Sequence, residues 1–161
     1  MNLTSDYDKY WSEIDRVFDF RPGMSPSVRP GIVEPKGSVT FSLAPIFENQ
    51  GATFAAGEAA INAEVLRALV AVVPSDEDIV ALDWQHQGCW FRPHLYAVEQ
   101  GTWPVPPFPN GDYYFLLTSD YATGTFGHPW EQSLCVMGST FVAELAPVLR
   151  AWLPVLREGG A

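Results

Sequence analysis

Apolar residues recur at three- and four-residue steps through Tyr7, Tyr10, Trp11, Ile14, Val17 and Phe18, which is the spacing of one helical face. Ser5 is placed to cap this helix, and Asp6 and Asp8 suit its first turn. Pro22 and Gly23 end it. Pro22, Pro26, Pro30 and Pro35 then predict an extended connector between Arg21 and Lys36. Val39, Phe41 and Leu43 alternate with Thr40 and Ser42, the pattern of a half-buried strand, stopped by Pro45. Residues 51–57 read as small and flexible. Residues 58–73 read as a second helix, with Ile61, Val65, Leu69 and Val72 facing inward and Pro74 closing it.

In the second half, Ile79 to Leu82 is almost wholly apolar, as expected of a central strand covered on both faces. Further strands are expected within Cys89–Val98, at Tyr113–Leu117 and at Ser133–Met137. The proline-rich stretch from Thr102 to Pro109 predicts a stiff loop, and Gly124, Gly127 and Pro129 predict another. A closing helix, capped by Ser139 or Thr140, carries the stripe Phe141, Leu145, Leu149, Trp152 and Leu156. Pro147 and Pro154 fall inside that stripe and predict a kink near residues 143–146, or two short helices in series. Short links between successive strands favour antiparallel pairing. The expected architecture is one α+β domain over residues 1–161, a single mainly antiparallel sheet with helices packed on one face.

Composition narrows the functional classes. The chain has 161 residues, of which 47% are hydrophobic and 14% aromatic, enough for one globular core that buries roughly 70% of the extended chain's surface. Nine basic residues against 19 acidic ones give a net charge of −10. Phosphate backbones and anionic membranes need clustered cations, so neither nucleic acid nor a membrane surface is an expected partner. A basic protein or a cationic ligand is compatible with this charge. Cys89 and Cys135 both sit in apolar runs and read as buried thiols. The N-terminal segment has no apolar core, and the longest apolar stretch, residues 65–74, is too short to span a bilayer. A cytoplasmic location is expected.

Chemistry-bearing residues concentrate in three segments: Leu82-Asp83-Trp84-Gln85-His86, Pro109-Asn110-Gly111-Asp112-Tyr113-Tyr114 and Phe126-Gly127-His128-Pro129-Trp130-Glu131. On a regular strand alternate side chains face opposite ways. Asp83 then shares a face with Gln85, and Trp84 with His86, so Asp83 and His86 meet only if the strand breaks near Trp84. The polar members are expected on an open face opposite the helices. Pro129 holds the backbone of His128 extended, and a histidine fixed beside carboxylates can be tuned for proton transfer near neutral pH. The candidate acid/base residues are His128, His86, Asp83, Asp112 and Glu131. Trp84, Gln85, Tyr114 and Trp130 are the candidate ligand contacts. Structural roles compete with each: a loop histidine bonded to backbone, a strand-end Asp83 capping a turn, and an Asp112 completing the Asn110-Gly111 turn. The histidines and cysteines show no close ligand spacing. A metal site would need distant parts such as His86, His128 and a carboxylate, and no metal or cofactor is expected. No phosphate loop, nucleophile elbow or dinucleotide fingerprint is present.

Ala81-Leu82-Asp83-Trp84-Gln85-His86, Phe91-x-Pro93, Phe108-Pro109-Asn110-Gly111-Asp112-Tyr113-Tyr114 and Gly124-x-Phe126-Gly127-His128-Pro129-Trp130-Glu131 resemble the motifs of a bacterial family known as domain of unknown function 2716. Gly138, the Trp11 helix and Gly31-Ile32-x-Glu34-Pro35 are similar as well. The resemblance spans nearly the whole chain and implies kinship without an activity. Two functions remain in view. One is a small acidic binding protein, similar in kind to immunity proteins, neutralising a protein partner through Asp83, Asp112, Asp120, Glu131 and exposed aromatics. The other is a metal-independent acid/base enzyme acting on a small molecule in a pocket lined by histidine, aspartate and tryptophan. The sequence leaves the oligomeric state open.

Overall fold

In the computed structural model, which describes residues 2–3, 7–23 and 31–159, the apolar runs become the middle of one sheet. Its strands are β1 (Asn2–Leu3), β2 (Val39–Ser42), β3 (Ile79–Asp83), β4 (Cys89–Phe91), β5 (Tyr114–Leu117), β6 (Gly124–His128), β7 (Ser133–Met137) and β8 (Val155–Glu158). They lie in the order β1-β4-β3-β5-β6-β7-β2-β8, and every neighbouring pair is antiparallel. The helices are α1 (Tyr7–Phe18), α2 (Ala44–Phe47), α3 (Gly51–Val72), α4 (Pro93–Glu99) and α5 (Ser139–Arg150). The fold is α+β, as expected.

Strand alternation sorts the core into two clusters. Phe41, Ile79, Ala81, Leu116, Leu134 and Val136 face one way and meet α2, α3, α4 and α5. Val80, Leu82, Phe115, Leu117, Phe126 and Cys135 face the other way. The helices thus share one face, with α1 as an addition on the second. There α1 contributes Ile14 and Phe18, and the chain around it contributes Phe20 and Ile32. The described ends of the connector lie side by side, with Arg21 N donating to Gly31 O and Val33 N to Phe18 O. The face expected to be open is therefore covered over its centre. This also corrects the half-buried reading of β2: Thr40 and Ser42 are buried along with Val39 and Phe41, and the Thr40 hydroxyl donates to Glu34 Oε1 at 2.8 Å.

Several boundaries differ from the expected ones for identifiable reasons. Residues 51–57 are the opening turns of α3. Gly57 lies so close to α2 that a Cβ there would come within 2.7 Å of Ile46 Cγ2. Pro45 ends β2 but also starts α2, where its missing N–H costs nothing. The region after β4 turns helical at Pro93 in the same way. Gly124 and Gly127 belong to a strand, β6. At Gly124, with φ +145°, a Cβ would sit 1.8 Å from Leu116 O, so only glycine lets β5 and β6 pair there. The closing helix is not split, and it continues through Pro147 to Arg150. Its N-cap is Gly138, with no side-chain cap from Ser139 or Thr140. Leu156, expected on its stripe, lies in β8, and Trp152 is exposed. The α1 helix ends at Phe18, before Pro22, with Asp19 at φ +47°. Ser5, Asp6, Pro26 and Pro30 lie outside the described residues. Both cysteines are buried and unpaired with each other. Among the described residues no helix is long and apolar enough to cross a membrane.

Candidate functional site

The C-terminal ends of β3 and β6 and the starts of β5 and β7 meet at one end of the sheet. The registers Asp83–Tyr114, Tyr114–Gly127 and His128–Ser133 place the three motif segments there together. Alternation then divides them between the two walls of the sheet.

On the α3 side, β3 stops at Asp83 and the chain reverses. Gln85 takes φ +67°, and His86 N donates to Asp83 O at 3.0 Å. This is the break near Trp84 that lets Asp83 and His86 meet. His86 Nδ1 stands 3.2 Å from Asp83 Oδ1 and 3.1 Å from Trp84 O. A carbonyl only accepts, so Nδ1 carries the proton. Asp83 Oδ1 is buried, and the imidazole's approach is not aligned as a hydrogen bond to it. We read this contact as electrostatic. Asp112 accepts the amide of Tyr113 at 2.8 Å. Ligand-capable atoms of Asp83, His86 and Asp112 all lie within 4.8 Å of one another. Beside them the Tyr114 hydroxyl donates to Asn110 Oδ1, and Asn110 donates to Glu58 Oε1 on α3. Burial pushes the Asp83 carboxyl above its ordinary range, opposed by His86 and assisted by Asp112. The Asp83 charge is the main cause of a raised His86. Burial, and then the charges of Asp83, Asp112 and Glu58, raise Tyr114. The local field is negative.

On the α1 side, Tyr113 is the hub. Its ring lies 5.5 Å from Trp84, 5.0 Å from His128 and 5.0 Å from Trp130 between centroids, and its hydroxyl accepts the amide of Gly23. His128 is 2% exposed, and Gly31 is close enough that a Cβ would lie 3.1 Å from its ring. Its Nδ1 accepts the Glu131 amide at 3.0 Å, which in a neutral ring places the proton on Nε2. Trp130 is 50% exposed.

The structure thus brings Asp83, His86, Asp112 and Tyr114 together, and separately Trp84, His128 and Trp130. The sheet lies between His128 and the two aspartates. Gln85 is exposed in its turn. Glu131 touches His128 through its backbone, while its buried carboxylate is paired with Arg157. Arg157 also holds Glu34, which Thr40 reaches. Asp120 lies at the opposite end of the sheet, bonded to Thr118 and Ala122. His94 sits away from the site with Nε2 on Val73 O. Neither Tyr113 nor Arg157 is among the site residues expected from the sequence; Arg157 directly follows Leu156, the last residue of the expected helical stripe, but lies in β8. A groove of about 380 Å³ between α3 and α4, lined by Leu66, Tyr96 and Trp103 among others, contains none of the candidate residues.

Comparison with known proteins gives kinship. The chain is 33% identical over 135 residues to the uncharacterized protein YxiI of Bacillus subtilis (strain 168), covering 81% of this chain and 82% of that one. No solved structure matches it. The family described as protein of unknown function (DUF2716) matches residues 3–142, and the chain belongs to that family.

Proposed function

We propose that this chain is a small acidic binding protein that engages a basic protein partner across the motif-bearing end of its sheet, in the manner of immunity proteins that cover the working surface of a toxin. The observation that carries this reading is the division of that end into a carboxylate wall and an aromatic wall, with Trp130 half exposed. An occupant reading both must straddle the strand ends, which suits a protein surface better than a small molecule. Half-exposed tryptophans serve as anchors in protein interfaces, and the net charge of −10 would speed encounter with a cationic partner. Two unpaired thiols suit a reducing compartment such as the cytoplasm.

A metal-independent acid/base reaction has less support. His128 is buried, and the Glu131 carboxylate belongs to Arg157. Such a reaction would have to use the Asp83–His86 pair.

Expression of the tagged full chain in the organism that encodes it provides the test. A basic polypeptide is expected to co-elute at one-to-one stoichiometry. Trp130→Ala should weaken the complex roughly thirtyfold, equivalent to about 2 kcal/mol, and added salt should slow association. A co-purifying small molecule in place of a polypeptide, lost on His86→Ala while the fold survives, would overturn this reading in favour of the enzyme.

A further inference from the structure

We propose that Asp83, His86 and Asp112 form a binding site for one divalent transition-metal ion of the zinc class. The three side chains come from different places in the chain. The end of β3 supplies Asp83, the turn after it supplies His86, and the residue two before β5 supplies Asp112. Their ligand-capable atoms nevertheless converge within 4.8 Å. Around an ion with bonds of about 2.1 Å, neighbouring ligand atoms stand about 3.0 Å apart in octahedral geometry and about 3.4 Å apart in tetrahedral geometry. The 3.2 Å between His86 Nδ1 and Asp83 Oδ1 falls between these values. No separation is wider than 4.8 Å, within an ångström of the ~4.2 Å span of two ligands across one ion. The largely exposed His86 ring can rotate toward an ion.

A second observation points the same way. Asp83 Oδ1 is buried with no aligned hydrogen-bond donor; the His86 ring stands 3.2 Å away, and an unaligned contact offsets only part of the cost of burying a carboxylate oxygen. A cation bonded to it would remove that cost. Binding would require Nδ1 to release its proton, exchanging the Trp84 carbonyl contact for the ion. The donor set selects the class of ion. Calcium and magnesium prefer oxygen ligands throughout, whereas one imidazole nitrogen with two carboxylates suits zinc and its neighbours. Three protein ligands leave at least one coordination position for water or an incoming group.

This inference is independent of the protein-partner reading. His86→Ala removes the nitrogen ligand while leaving both carboxylates available to a basic partner. The test is calorimetric titration of the EDTA-treated full chain with zinc chloride. One Zn²⁺ per chain is expected, with the His86 ring signals shifting in the NMR spectrum. Losing a group that only orients a metal ligand costs about 10–100-fold in metal affinity, so losing a ligand itself, in His86→Ala or Asp112→Asn, should weaken binding by at least about tenfold. Asp120→Asn, at the far end of the sheet, should leave binding unchanged. If Asp112→Asn disturbs its turn, His86→Ala decides, because that ring is largely in solvent. Absence of saturable binding, or binding that survives His86→Ala, would overturn the proposal.

Discussion

Asp83 and His86 form a pair in which one member is anchored and the other is in solvent. Asp83 is fixed by strand pairing to Tyr114, whereas the His86 side chain is 67% exposed. The titration consequences follow from the causes. The Asp83 carboxylate raises His86 above its ordinary 6.5, so the folded state favours the imidazolium. The associated stability is complete below the unfolded value and is lost as pH rises through the higher folded value. Burial raises Asp83 as well. Its ionisation therefore also removes stability as pH climbs through its folded value, and the His86 charge opposes part of that loss. In an NMR pH titration His86 should titrate above 6.5 and move back toward it in Asp83→Asn. An unchanged midpoint in that variant would show that Asp83 does not control the ring.

At the scale of elements, α5 holds a proline that should weaken it. Pro147 deprives the helix of one backbone donor, yet the helix runs on to Arg150. The carbonyl that Pro147 leaves without its helical donor is that of Ala143; at the neighbouring Glu144, Arg67 of α3 donates to the carbonyl and pairs with the carboxylate, tying this turn to α3. Pro147 is exposed, so Pro147→Ala removes no buried contact. It should raise stability by about 1 kcal/mol, less than the full helix penalty of about 3 kcal/mol because proline also restrains the unfolded chain. Urea denaturation measures this, and a lower midpoint would contradict it. Such external support explains what pattern reading could and could not see. The runs at Ile79–Leu82, Tyr113–Leu117 and Ser133–Met137 were legible because apolar density alone specifies a strand covered on both sides. Strand β6 was not, because Gly124 and Gly127 answer to backbones packed against them, a cause absent from their own neighbourhood in sequence. The start of α3 was hidden likewise by Gly57, and α4 and β8 by prolines that open new elements as well as ending old ones.

For the whole molecule, net charge and antiparallel pairing were accessible from the sequence. The motif segments meet at one end of the sheet but on opposite walls, so the sheet parts His128 from Asp83 and Asp112. The alternation rule separated Asp83 from Trp84 correctly, but only the reversal at Gln85 shows His86 rejoining Asp83. Both thiols are sealed in the core. Burial pushes Cys135 up to about 12 and raises Cys89 as well. Ellman's reagent should therefore label neither cysteine in the native protein and both in denaturant, and stoichiometric native labelling would refute this burial.

The sheet acts as a partition between two oils of unequal depth. Behind one side stand four helices, while behind the other α1 contributes only Ile14 and Phe18 as buried residues. Fewer layers then stand between the sheet and solvent on the α1 side, which is where local opening is expected first. His128, Tyr113 and the inner face of Trp84 all belong to the shallow side. A partner seated on Trp130, as proposed, would lie against the thinner of the two layers.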